Sequence, residues 1–209
     1  FLYDSPIGNI NLFNAVLTVA VVLPVVIFFR SPEVYTAGTS ETGGHGKMNS
    51  HTMVKIRRAE EKDIPAVLGL LKQVLEIHAG IRPDIFIPGT TKYTVDELRE
   101  MLKDDRKPVY VATDEQDHCV GYAFCQKREQ PSSNNMVPFT SLFIDDLCVD
   151  QSARGRHVGE ALFEHVKQEA KKMGCYEVTL NVWAGNTSAE KFYEKMGMKT
   201  KERQMEYIL

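Results

Sequence analysis

The chain has 209 residues, 43% of them hydrophobic and 25% charged, which is enough apolar material for one full core and an appendage. Its 28 acidic and 25 basic residues give a net charge of −3 with no long Lys/Arg run, which excludes nucleic-acid binding as the main task and leaves room for a local basic turn. Cys119, Cys125, Cys148 and Cys175 form no CxxC and have no histidines at zinc-site spacing, so reduced thiols and no metal site are expected.

In chain order, the first feature is INLFNAVLTVAVVLPVVIFF, residues 10–29, about long enough to cross a bilayer. A secretory signal fits poorly, because Asp4 and no Lys or Arg precede the run. Two readings stand. One is an anchor, with Arg30, Lys47, Lys55, Arg57 and Arg58 on its C-terminal side holding the remainder in the cytoplasm. The other is a non-native upstream extension, with the Gly-rich AGTSETGGHGKMNSHT (37–52) running into a true start at Met48 or Met53. Either way, residues 1–52 stand apart from one cytoplasmic folded domain over 53–209.

That domain opens with VKIRRA (54–59), alternating as a strand does. Asp63 is then placed to cap a helix over 64–79 whose Ile64, Val67, Leu68, Leu71 and Leu75 share a face, with Gly80 ending it. The connection IRPDIFIPGTTKY is long enough to be functional, and Thr94 with Glu97 forms a capping box for TVDELREMLK. KPVYVATD and CVGYAFCQKRE read as an antiparallel strand pair, and SLFIDDLCVD as a further strand. HVGEALFEHVKQEAKKM is an amphipathic helix closed by Gly174. YEVTLNVW is a strand, SAEKFYEKM a short helix, and TKERQMEYIL a final strand or strand pair. The expected class is mixed α/β, a mostly antiparallel sheet flanked by helices with a βαβ unit in the second half.

Between SLFIDDLCVD and the long helix lies RGRHVG, Arg154 to Gly159. A helix N-terminus carries unpaired N–H groups and about half a positive charge, and Arg154 and Arg156 add formal charge, so the turn suits a diphosphate. Neither GxGxxG after the first strand nor GK[ST] is present, so Rossmann and P-loop sites do not apply.

IDDLCVD, RGRHVG and NVWAGNTSAEKFYEKMGM together resemble the GNAT superfamily of N-acetyltransferases over essentially all of 53–209. The coenzyme turn [QR]xxGx[GA] maps to Arg154–Gly159, and N-x-x-A-x-x-[FL]-Y-x-x-x-G-[FM] maps to Asn186, Ala189, Phe192, Tyr193, Gly197 and Met198. The resemblance implies the GNAT fold and acetyl-CoA as cosubstrate, held by Leu147, Cys148, Val149, Arg154, Gly155, Arg156, His157, Val158, Gly159, Asn186 and Tyr193. It also implies an oxyanion-binding backbone N–H near Val149. His157 departs from the pattern, since it stands where the family has a small residue.

An amine with a pKa of about 10.4 must lose a proton before it can attack a thioester. The resemblance places that base at Asp145, with Asp146 as the other candidate; strand alternation allows only one of the two into the cleft. It places the acid for the departing thiolate at Tyr193. The acceptor side would be formed by Asp84, Phe86, Asp145 and Trp183, an acidic cleft suited to a cation, while His78 reads as a helix-end residue stabilised by the helix dipole. The expected acceptor is a small polyamine-like or amino-acid-derived amine, with a protein N-terminus or lysine as the alternative. A non-catalytic acyl-CoA sensor is the rival outside catalysis. No nucleic acid is expected, a membrane only if residues 10–29 are an anchor, and a homodimer is an open option.

Overall fold

The computed structural model describes residues 54–130 and 133–209. The apolar run 10–29, the linker 37–52 and the candidate starts Met48 and Met53 lie outside them. Among the described residues five strands form one sheet in sequence order: β1 (Lys55–Arg58), β2 (Val109–Thr113), β3 (Cys119–Glu129), β4 (Thr140–Val149) and β5 (Glu177–Leu180). The first four are antiparallel, and β5 joins β4 in parallel after a helical crossover.

Among the described residues four α-helices cover the sheet: α1 (Ile64–Ile81), α2 (Val95–Met101), α3 (Val158–Lys172) and α4 (Thr187–Lys195). The alternation of β3 explains the two layers. Tyr122 and Phe124 point to the α1 side, where they pack with Val67, Leu71 and Val74, while Ala123 and Cys125 point to the α3 side and pack with Leu162, Phe163 and Val166. On α1 the buried stripe runs through Leu70 and Val74 as well as the expected positions, with Leu68 at its half-buried margin.

Several expectations need correction. Asp63 sits at the N-cap position of α1 without capping it. Its carboxylate instead accepts from the Glu60 N–H at 2.8 Å and from Arg57 at 2.6 Å, which ties β1 to the turn before the helix. Gly80 does not end α1, which runs one residue further. The strand expected over YEVTLNVW stops at Leu180, because β4 and β5 part there. TKERQMEYIL forms no strand. Its apolar residues cluster at the end behind a charged run, and Met205, Tyr207, Ile208 and Leu209 stay exposed without a sheet neighbour. The Thr94–Glu97 box at α2 is present as expected, with Thr94 Oγ1 accepting from the Glu97 N–H.

Candidate active site

The site forms where the last two strands separate. The β4–β5 ladder runs from Ser141 and Glu177 to Ile144 and Leu180, and β4 continues alone on that side through Asp145, Asp146, Leu147, Cys148 and Val149. The register with β3 then decides which backbone groups face the gap. Asp150 N–H donates to Val120 O at 2.9 Å, and Gly121 pairs with Val149. Hydrogen-bonded and non-hydrogen-bonded pairs alternate along an antiparallel ladder, so the Val149 N–H points away from β3 into the gap.

Gly121, which the sequence reading passed over, makes this possible. A Cβ there would meet the Cys148 carbonyl oxygen at 2.8 Å, which must shift, and Leu162 Cδ1 at 3.2 Å, while Val149 Cα at 3.5 Å would be in ordinary contact. Gly121→Ala is expected to cost about 1–3 kcal/mol by overpacking and to weaken coenzyme binding by displacing the Cys148 carbonyl and the strand end that follows it. Denaturant titration and calorimetry would read both effects; unchanged affinity would separate Gly121 from the site.

A bulge overturns the alternation argument for the aspartates. Phe124 pairs with Asp146 and Cys125 with Ile144, which leaves Asp145 as the extra residue. Both carboxylates therefore turn to the α1 side of the sheet. Asp145 Oδ2 accepts from Lys92 Nζ at 2.6 Å and from Tyr93 OH at 3.3 Å. Asp146 is fully buried, with Oδ2 accepting from Tyr122 OH at 3.1 Å and Oδ1 without a partner. Burial, helped by the Asp145 charge and opposed by Lys92, pushes Asp146 up to about 7. Tyr193, on α4, is 3% exposed and its hydroxyl has no partner. Burial and then the Asp146 charge hold that phenol well above its ordinary value.

Beyond Val149 the chain makes the expected turn. Arg154 Nε donates to Val149 O at 3.2 Å, tying the turn to the strand end. Gly155 and His157 adopt positive φ, +76° and +59°, so successive N–H groups curl into a concavity that continues into the first turn of α3. Arg156 and His157 are exposed beside it, while Val158 and Gly159 are buried below. Asn186 caps α4, its Oδ1 accepting from the Ala189 N–H at 3.2 Å.

The structure also gives His157 a conformational problem that the sequence did not reveal. It occupies the left-handed region, which costs an L-residue about 1–2 kcal/mol, and its exposed contact to Glu160 at 3.2 Å offsets little of that. His157→Gly is expected to raise stability by roughly 0.5 kcal/mol, net of the entropy of glycine, and to keep or improve coenzyme affinity. A bulky residue at buried Gly159 should abolish binding. Loss of binding in His157→Gly would make the imidazole a specific ligand.

On the acceptor side Phe86, Trp183 and, through Arg82, Asp84 come together, while Asp145 is held separately by Lys92 and Tyr93. Phe86 meets Trp183 edge-on at 5.6 Å and His78 at 5.2 Å; His78 is 1% exposed and part of this packing. The Trp183 Nε1 donor is buried without a partner. Arg82 lies over Trp183 and pairs with Asp84 at 2.7 Å, which holds the Asp84 carboxyl below the usual range. Arg82 is shared between Asp84 and Glu206 and Lys92 holds Asp145, so the carboxylates expected to make this side acidic are largely paired with cations.

The family model of the acetyltransferase (GNAT) family matches residues 71–198. The chain belongs to the GNAT family. Among curated GNAT relatives, the chain is 40% identical over 62 residues to glucosamine 6-phosphate N-acetyltransferase of Arabidopsis thaliana, covering 30% of this chain and 40% of that one. It is 32% identical over 109 residues to peptidyl-lysine N-acetyltransferase YjaB of Salmonella typhimurium, covering 51% and 62%. The matched stretches thus span less than two thirds of either relative. Among solved structures, a mutant form of a Bacillus halodurans protein superposes with a TM-score of 0.71 at 28% identity, covering 74% of this chain and 99% of the other. The GNAT match takes in α2 through α4, and therefore the bulge, the basic turn at 154–159 and Tyr193.

Proposed function

We propose that this GNAT protein transfers the acetyl group of acetyl-CoA to a primary amine by direct attack of the amine on the thioester. The observation that carries the reading is an inward backbone N–H at Val149 where β4 and β5 part, together with two buried oxygens that lack partners, Asp146 Oδ1 and Tyr193 OH, with the Asp146 charge reaching the Tyr193 phenol. Buried polar atoms are normally satisfied, and exceptions point to function. The residues fit the coenzyme: the N–H concavity of 155–159 with Arg154 and Arg156 suits a pyrophosphate, and the gap beside Leu147, Cys148 and Val149 leaves a strand edge for the pantetheine arm.

Each residue then has a task. The carboxylate pair draws the proton from the incoming ammonium, with Asp145 at the mouth and Asp146 as the member that changes its proton near neutral pH. The Val149 N–H meets the charge that develops on the carbonyl oxygen. Tyr193 O–H gives its proton to the departing thiolate. Asn186 fixes α4 and hence Tyr193. The raised Asp146 and the unpartnered Tyr193 favour an enzyme over an acyl-CoA sensor, which needs neither. The acceptor is a small amine, by analogy with the amino-sugar enzymes, and a protein lysine is the alternative supported by the peptidyl-lysine relative.

The test is release of free CoA from acetyl-CoA by the purified protein, with small amines and lysine peptides as acceptors. Amine-dependent release carries the reading. Tight acetyl-CoA binding with no release for any amine would leave the sensor.

A further inference from the structure

Arg128 is the charged group that the acetyl-transfer chemistry does not use. Along β3 it lies on the same face as Tyr122, Phe124 and Gln126, hence on the face to which Asp145 turns. Its guanidinium sits 3.4 Å from the ring centroid of Phe143, which is itself only 4% exposed. Its Nε donates to Gln126 Oε1 at 3.1 Å. Among the described residues no carboxylate pairs with it. A half-buried guanidinium normally takes a carboxylate or phosphate in its fork. Here burial works against the charge and the more distant Asp145 supports it.

The surroundings make the missing counterion specific. Lys92 already occupies Asp145, and Asp146 is buried beneath, bonded to Tyr122. The uncompensated charge on this part of the cleft is therefore a cation. Phe143 precedes Asp145 by two residues, about 7 Å along a strand, on the side away from Val149. A group held there is part of the acceptor and not of the coenzyme.

We infer that Arg128, clamped on Phe143, binds an oxyanion carried by the acceptor, so that the substrate is a primary amine bearing a phosphate or carboxylate. The inference rests on the acetyltransferase reading above and deepens it. The Nη1/Nη2 edge left free by the Nε–Gln126 bond can hold an oxyanion bidentately, a geometry an ammonium cannot match, and Lys92 already neutralises the neighbouring Asp145.

The experiment measures kcat/KM by CoA release for matched acceptors: glucosamine 6-phosphate against glucosamine, and lysine peptides flanked by Glu against the same peptides flanked by Gln. Wild type is expected to prefer the anionic member of at least one pair tenfold or more, and the pair that shows it distinguishes phosphate from carboxylate. Arg128→Gln should reduce that ratio at least tenfold, and Arg128→Lys should restore part of it. Using the ratio removes any general loosening of β3. A second readout needs no turnover: inorganic phosphate titrated into the protein should shift the Arg128 Nε–Hε resonance, assigned by its loss in Arg128→Gln. Equal kcat/KM within both pairs, or an unmoved ratio in Arg128→Gln, overturns the inference, while turnover of the neutral amines would still uphold acetyl transfer. An unmoved resonance would count against it independently.

Discussion

Tyr193→Phe is expected to lower turnover about 100-fold or more, in the range of a lost general acid, while acetyl-CoA still binds. The ring packs against Phe163 and Phe192, with centroids at 5.9 and 5.0 Å, and Phe keeps that packing. Only the hydroxyl goes, and it is buried without a partner. A buried unsatisfied hydroxyl costs about 1–3 kcal/mol, so the variant should melt no lower than wild type and its lost rate cannot be attributed to misfolding. The phenol is held well above its ordinary value by burial and the Asp146 charge, so it stays a proton donor across the working range. Raising the pH should therefore not rescue the variant. Turnover within a few-fold of wild type with the best acceptor would remove Tyr193 from the chemistry.

Much of this arrangement was legible in the sequence, because it rests on local rules. The strand CVGYAFCQKRE, the Thr94 cap and the helix after RGRHVG follow from alternation, capping and 3.6-residue periodicity, and the structure forms all three. The order of acidic strand, basic turn and N-x-x-A-x-x-F-Y helix carried the family. What was not legible depends on pairing. A bulge is visible only against the partner strand, so the sequence could not show that Asp145 and Asp146 share a face. Gly121 looked like an ordinary strand residue until its distance to Cys148 O was known. The Lys92–Asp145 pair joins a loop to β4, which no periodicity predicts, and the Arg82–Asp84 pair is local but its place over Trp183 is set only by the fold. The final strand was misread because an apolar end on a short tail does not supply a neighbour to pair with, and Met205, Tyr207, Ile208 and Leu209 stay exposed.

The largest pH effect is expected from Asp146. A base must be ionised to accept the ammonium proton, so wild-type kcat/KM should climb as pH rises through about 7, the value to which burial pushes this carboxyl. Asp146→Asn should lower turnover at neutral pH about 100-fold and abolish that limb. Stability should move the other way. The folded pKa lies above an unfolded value of about 3.9, so the folded state binds more protons than the unfolded chain between those values. The group then costs nothing below pH of about 4, and its penalty grows until pH passes about 7, where it is on the order of 4 kcal/mol. Thermal melts should show Asp146→Asn gaining on wild type as pH rises from about 4 to 8. Asp145→Asn predicts a different pattern. It removes a neighbouring negative charge and frees Lys92, both of which favour ionised Asp146, so the acid limb should shift to lower pH while KM for the amine rises. Should Asp145→Asn lose the limb and the turnover while Asp146→Asn keeps both, Asp145 takes the proton, as the family resemblance implies, and the buried carboxyl beside it serves only to set its surroundings.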